Sequence, residues 1–313
     1  MKMEKHKKNI VISKIGNIVR YVILSIMFVT SVAPILWVAL SAFKTNEEIY
    51  LNSLALPTTW RVENFIKVFN SDNLLMGYAN TIINAIVVLF FTLILGSMAA
   101  YISSRAAKRE VMHTYFAIGI MIPLQAILVP TFLILKQLGM IYTHIGLLLV
   151  YIASTMPITV FVLHGFMKGI PKEMEEAAII DGASRARCFF QIIFPMSKPG
   201  LATVLTLNMI TIWNDYLFSL IIGGKQELYN ITVVAYQFKG EFYTDYGLIC
   251  AALLFSILPL IVLYIALQEN VIKGMAEGAI KAYNKGGTLI YELHSKKKYS
   301  CRYHSKRELP YLE

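Results

Sequence analysis

Residues 167–203 read MKGIPKEMEEAAIIDGASRARCFFQIIFPMSKPGLAT, a polar and charged stretch set between two long apolar runs. It lies where a membrane protein needs a cytoplasmic handle. Pro171 suits the first turn of a helix, the carboxylates of Glu173, Glu175 and Glu176 favour its positive N-terminal end, and Gly182 is the kind of residue on which a helix stops. These signals predict one short helix over 171–181. A second apolar-periodic run, Cys188, Phe189, Ile192 and Ile193, follows the turn and is expected to end before Pro195, giving helix, glycine turn, helix. So short a hairpin cannot bury both of its faces alone. It is expected to lie against a membrane domain on one side and to offer the other to a partner, by helix-in-groove recognition.

The same residues carry a resemblance. Glu176-Ala177-Ala178, then three residues, Gly182, nine residues, and Ile192-Ile193-Phe194-Pro195 resembles the EAA loop of the membrane-spanning subunits of binding-protein-dependent ABC importers. The longer string IPKEMEEAAIIDGAS and the later WNDYLFSL resemble the carbohydrate-importer branch, in particular permeases similar to the maltose-type second permease. The likeness runs from roughly Tyr21 to Lys281, with Phe194 standing where the family usually has Leu. It implies an all-α polytopic membrane protein of six transmembrane helices with a cytoplasmic coupling helix. That helix enters a cleft on a separate ATPase subunit. Carried onto this chain, the coupling residues are Glu175, Glu176, Ala177, Ala178, Asp181 and Gly182, supported by Pro171, Ile192 and Pro195. Small alanines let a helix enter a narrow cleft, the Glu176 carboxylate offers a charge-assisted bond, and Gly182 sets the turn. The resemblance further implies import of a sugar or oligosaccharide. The partners it implies are a second permease, two copies of the ATPase and an external or periplasmic sugar-binding protein. A non-sugar polar solute such as glycerol phosphate is the alternative cargo.

Composition points the same way. Of 313 residues, 57% are apolar and 15% charged, against about 45–50% and about 25% in soluble domains. The net charge of +10 does not mark a nucleic-acid binder, because the basic residues gather in particular loops between apolar runs. Cys188, Cys250 and Cys301 are scattered and outline neither a disulfide framework nor a metal cluster.

Taken in order, a basic segment over 1–20 precedes an uncleaved first span at 21–43, and a polar external loop with Pro57, Trp60 and Phe65 follows. Further spans are predicted at about 77–103, 113–135, 144–167, 201–222 and 246–267, so that 21–267 forms the permease domain with its coupling loop at 168–200. Pro123, Pro130 and Pro157 lie inside the third and fourth spans and predict kinks there. Lys2, Lys5, Lys7, Lys8, Lys14 and Arg20, then Arg105, Lys108 and Arg109, then Lys168, Lys172, Arg185, Arg187 and Lys198 fall on one side. They outnumber Lys44, Arg61, Lys67, Lys136, Lys225 and Lys239 on the other, which places both termini and the hairpin in the cytoplasm. Residues 268–313 form a C-terminal tail of unassigned function, and from Lys281 onward it has no helical or strand period. Gly278-Ala279-Ile280-Lys281 resembles the usual family ending, but Ala282 replaces a glycine. A basic tail beside anionic lipid and a shifted reading frame or cloning scar are equal readings of it.

Polar side chains inside spans are costly unless they pair or line water. Asn80 and Asn84 share a helix face, Gln125 lies in the third span, and Asn208, Trp213, Asn214 and Asp215 lie in the fifth. They read as a hydrated path for a hydroxyl-rich solute, with Trp213 and Tyr216 as an aromatic plate, or as interhelical glue. His113, His144 and His164 are far apart in sequence and near predicted span ends, so interfacial placement is expected over metal binding. No Gly-rich Lys-Ser/Thr loop, catalytic triad or cofactor motif is present in the sequence, so an energy source must lie in another subunit. An ion-coupled transporter would need a buried charged pair and a repeated half, and a membrane enzyme clustered His or carboxylates at one face. The sequence offers neither pattern.

Overall fold

The computed structural model describes residues 2–105, 110–239 and 244–266, and these are helical throughout apart from turns and one antiparallel bridge between Lys239 and Thr244. The helices are α1 (Lys2–Ser41), α2 (Asn46–Leu51), α3 (Glu63–Phe69), α4 (Asp72–Arg105), α5 (Glu110–Met121), α6 (Leu128–Gln137), α7 (His144–Lys168), α8 (Glu173–Ile180), α9 (Arg185–Cys188), α10 (Phe194–Met196), α11 (Lys198–Trp213), α12 (Ile231–Gln237) and α13 (Tyr246–Ala266). Short 3₁₀ turns stand at Leu124–Ile127 and Gln226–Leu228, and π turns at Phe189–Ile193 and Ser219–Gly223. The tail 268–313, with Cys301 and the stretch 278–282, lies outside the described residues.

A bilayer core of about 30 Å needs about 20 apolar residues in a helix. Gly16–Ser41, Asn73–Arg105, His144–Lys168 and Tyr246–Ala266 each meet that length as a single unbroken helix. The other two expected spans are corrected to bent pairs. Val111–Met121 and Leu124–Gln137 meet at 91°, and Arg185–Met196 and Lys198–Trp213 at 73°. Proline is the cause in both. Pro123 has no N–H to continue α5 and adopts an extended ψ of 126°, so the chain turns there instead of kinking. Pro199 sits in the first turn of α11, where a proline starts a helix but cannot extend one from before. Pro157, in contrast, is carried inside an unbroken α7. The fifth span accordingly starts before 201 and its helix ends at Trp213, not near 222.

The chain divides into two compact units. The first comprises Met1–Ile82 and Asp215–Ile261. Its loop after α1 is held by side-chain bonds and ring packing. Lys44 is buried, and its ammonium donates to the Ser53 carbonyl at 2.9 Å, while the Asn64 amide donates to the Ala42 carbonyl at 2.9 Å. Thr45 and Glu48 form a capping box at the start of α2. The Thr58 hydroxyl and the Thr45 backbone amide hold the Glu48 carboxyl down to about 2. Phe43 packs against Trp60 and Phe65, with ring centroids 5.1 and 4.7 Å apart.

The second unit comprises Ile83–Asn214 and Val262–Glu313. Its core joins Ala100 of α4, Val160, Leu163 and Met167 of α7, Val204 of α11, and Ile170, Phe189 and Ile193 of the hairpin segment. Close helix approach is set by glycine. A Cβ added at Gly96 of α4 would stand 2.4 Å from the Thr159 methyl of α7, and one at Gly119 3.1 Å from Pro157.

Candidate coupling site

The hairpin forms as two helices about a glycine. α8 spans Glu173–Ile180, shorter at both ends than predicted: Pro171 precedes it, and Lys172 occupies the cap position without a side-chain bond. Its end is a Schellman motif. The Gly182 N–H donates to the Ile179 carbonyl at 3.0 Å and the Ala183 N–H to the Ala178 carbonyl at 2.9 Å, with Gly182 at φ +83°. Only glycine adopts that conformation without a Cβ penalty, and nothing lies within 4 Å of where a Cβ would stand. The constraint at 182 is therefore conformational. Ser184 then caps α9, its hydroxyl accepting from the Arg187 N–H at 3.3 Å.

The two arms have different surroundings. No residue of α8 is buried, and Met174, Ile179 and Ile180 are 46%, 52% and 85% exposed. Glu176, Ala177, Asp181 and Gly182 are exposed and Ala178 is half-buried. In the second arm Cys188, Phe189 and Ile193 are buried, and Ile192 and Pro195 half-buried. This arm does not end before Pro195 as expected. It runs through the π turn and α10 to Met196. Phe189 and Ile193, the two ends of the π turn, both enter the core.

Glu175 turns away from the exposed face. One carboxylate oxygen accepts from the Tyr101 hydroxyl at 2.9 Å and the other pairs with the Arg105 guanidinium, whose Nη1 also donates to the Ile170 carbonyl at 3.1 Å. Both ends of the pair are 14% exposed. The sequence reading counts Arg105 only as a loop charge and passes over Tyr101. Their spacing of four on α4 was the available signal, but it named no partner.

The polar residues of the expected path are distributed between the units. In the first, the buried Asn80 amide donates to the carbonyls of Glu227 and Tyr229 at 2.7 and 3.1 Å, and the neighbouring Thr81 hydroxyl accepts from the Ile231 N–H at 2.9 Å. The Asp215 carboxylate accepts from the N–H groups of Phe218 and Ser219 at 3.3 and 2.9 Å, as a cap on the turn before the π segment. Tyr216 stands edge-on to Tyr236 with ring centroids 5.4 Å apart. In the second unit, Asn84 and Trp213 are buried, Asn214 is exposed at the end of α11, and Gln125 is exposed on the 3₁₀ turn at the break after Pro123. Asn208 donates to the Thr159 hydroxyl at 2.8 Å, a helix-to-helix bond between α11 and α7.

Two of the histidines, each near a helix end, meet in a pairing the sequence does not indicate. His113 of α5 stacks on His164 of α7 with centroids 4.0 Å apart, and His164 Nδ1 lies 2.8 Å from the Ser103 hydroxyl. Residues far apart in sequence meet here because α5 and α7 lie side by side. Among the described residues no group of three or more His, Cys, Asp or Glu is placed to hold a metal.

Comparison with known proteins accords with this arrangement. Residues 92–277 match the model of the binding-protein-dependent transport system inner membrane component. The diacetylchitobiose uptake system permease protein NgcG of Streptomyces coelicolor is 30% identical over 267 residues, which is 84% of this chain and 88% of that protein. The melibiose/raffinose/stachyose import permease protein MelC of Bacillus subtilis is 35% identical over 236 residues, 74% of this chain and 85% of that one. Among solved structures, a bacterial ABC transporter involved in the import of the acidic polysaccharide alginate superposes with a TM-score of 0.71 at 23% identity, covering 82% of this chain and 96% of the matched chain. The likeness to the solved structure is one of fold, whereas the family match covers more than half of the sequence. This chain belongs to the family of inner membrane components of binding-protein-dependent transport systems.

Proposed function

We propose that this chain is the permease subunit of an ABC importer for a sugar or oligosaccharide, with α8 as the helix that receives the motion of a separate ATPase. The chain is a multi-pass membrane transport subunit and not itself an ATPase. A second permease, ATPase subunits and an external binding protein complete the transporter. The carbohydrate class rests on relatives of 30% and 35% identity whose names specify diacetylchitobiose and melibiose, raffinose and stachyose, and this favours sugar over glycerol phosphate.

One observation carries the coupling role: α8 has no buried residue, although the arm that follows it belongs to the core. An exposed helix ending in Ile179 and Ile180 has apolar surface to give to a cleft, and the neighbouring Glu176 and Asp181 offer carboxylates to basic groups on its rim. Lys and Arg asymmetry puts both termini and α8 on the cytoplasmic side, where the ATPase operates. Closure of the ATPases on nucleotide then draws the coupling helices together and rocks the permeases between outward- and inward-open states. Asn80, Asn84, Gln125, Trp213, Asn214 and Asp215 are the proposed lining of the path. Within it, the Asn80 amide and the Asp215 carboxylate also hold backbone in place.

The test is affinity purification of this chain from membranes co-expressing the importer's subunits, with uptake of labelled melibiose, raffinose and diacetylchitobiose competed by glycerol phosphate. The ATPase is expected to co-purify, and glycerol phosphate to leave uptake unchanged. Gly182→Val is expected to insert normally but to lose both ATPase retention and uptake, because a β-branched residue at φ +83° disrupts the turn. Normal assembly and transport in that variant would remove the coupling role from α8.

A further inference from the structure

We propose that Tyr101 and Arg105 are positioning residues that clamp the coupling helix to α4 through the Glu175 carboxylate, so that α8 and the end of α4 move as one piece. The inference rests on the coupling role assigned to α8 above and identifies what holds that helix in place.

With no buried residue, α8 lacks an apolar anchor of its own. Its orientation needs another restraint, since a glycine turn on one side and a short connector on the other leave rotation about the helix axis weakly opposed. Glu175 supplies it. Both of its oxygens are engaged by α4, one by the Tyr101 hydroxyl and one by the Arg105 guanidinium. Tyr101 and Arg105 are four apart and therefore on one face of α4. That face holds the hairpin segment at two further points. Arg105 also bonds the Ile170 carbonyl in the connector, and the Tyr101 ring packs on Phe189 of the second arm at 5.3 Å. Connector, coupling helix and second arm thus share one attachment on α4.

The physics favours a stiff joint. At 14% exposure the Arg105–Glu175 pair is largely shielded from water, where charge attraction is stronger than at a wet surface. Removing one member leaves the other shielded and unpaired, which the protein relieves by releasing the helix. The adjacent glutamates divide the work: Glu176 is exposed toward the proposed partner and Glu175 is turned inward.

The experiment uses the complete transporter in lipid vesicles, with spin labels on this chain at Glu173 of α8, away from the surface proposed to meet the ATPase, and Ile102 of α4, both exposed. The spacing is read by electron paramagnetic resonance without nucleotide and with ATP and vanadate. In the unmodified pair the spacing is expected to be narrow and the same in both states. Glu175→Gln and Arg105→Gln should each broaden and shift it while the ATPase still co-purifies, and nucleotide-dependent coupling should fall about tenfold. Arg105→Glu combined with Glu175→Arg should restore the narrow spacing. Tyr101→Phe, which keeps the ring and removes one hydroxyl, should shift it in the same direction by less. Narrow, unshifted spacing in both single variants overturns the proposal. So does loss of the ATPase from Glu175→Gln without recovery in the exchanged pair, which would place Glu175 on the partner-facing surface. Failure of the unmodified chain to retain the ATPase would refute the coupling reading itself, a separate result.

Discussion

α8 and the arm that follows it are neighbours in sequence, separated by Asp181, Gly182, Ala183 and Ser184, yet they meet opposite environments. The first exposes its apolar residues, Ile180 most of all, and is held by a carboxylate. The second buries Phe189 and Ile193 among α4, α7 and α11 and is held by packing. Hydrophobicity alone does not separate them, since both are rich in Ile. The difference lies in what each isoleucine touches, which suits a device with one fixed arm and one arm left free for a partner.

The largest effect falls in the buried arm. Ile193→Ala leaves a cavity in the core and should destabilise the protein by about 2–5 kcal/mol, read as a lower melting temperature in detergent. A melting temperature equal to wild type would mean that the arm is not anchored as described. The matching change in the free arm, Ile180→Ser, should leave stability within about 0.5 kcal/mol while reducing ATPase retention and uptake. Destabilisation on the scale of Ile193→Ala would show that α8 is packed within the chain. The smallest effect belongs to the junction. Ser184→Ala removes the α9 cap and should cost about 1 kcal/mol. Melting unchanged by that substitution would show that core packing alone fixes where the second arm begins.

Several features were legible because they depend on residues close in sequence. Four spans could be found by length and hydropathy, and Gly182 marked the helix end because a left-handed residue is needed at that position. Prolines flagged the third and fourth spans as irregular, whereas the third and fifth are the ones that break. A kink and a right-angle break carry the same local sequence, however, and neighbouring helices decide between them. Pro157 stays within an unbroken α7 with Gly119 of α5 close against it, while Pro123 faces exposed surroundings and ends its helix.

By itself, then, the sequence determined the helical class, the apolar spans, the glycine-centred hairpin and the family to which they belong. Each is written in local spacing or composition. Tertiary structure alone decided that Glu175 meets Tyr101 and Arg105, that His113 stacks on His164, and that Asn80 and Asp215 secure backbone. Most of those pairings join positions tens of residues or more apart, and periodicity within one helix says which face a side chain occupies but not which helix lies opposite. Even Asp215, whose partners are three and four residues on, was ambiguous, because a carboxylate beside a span end suits a path or a cap until the backbone shows which N–H groups it receives.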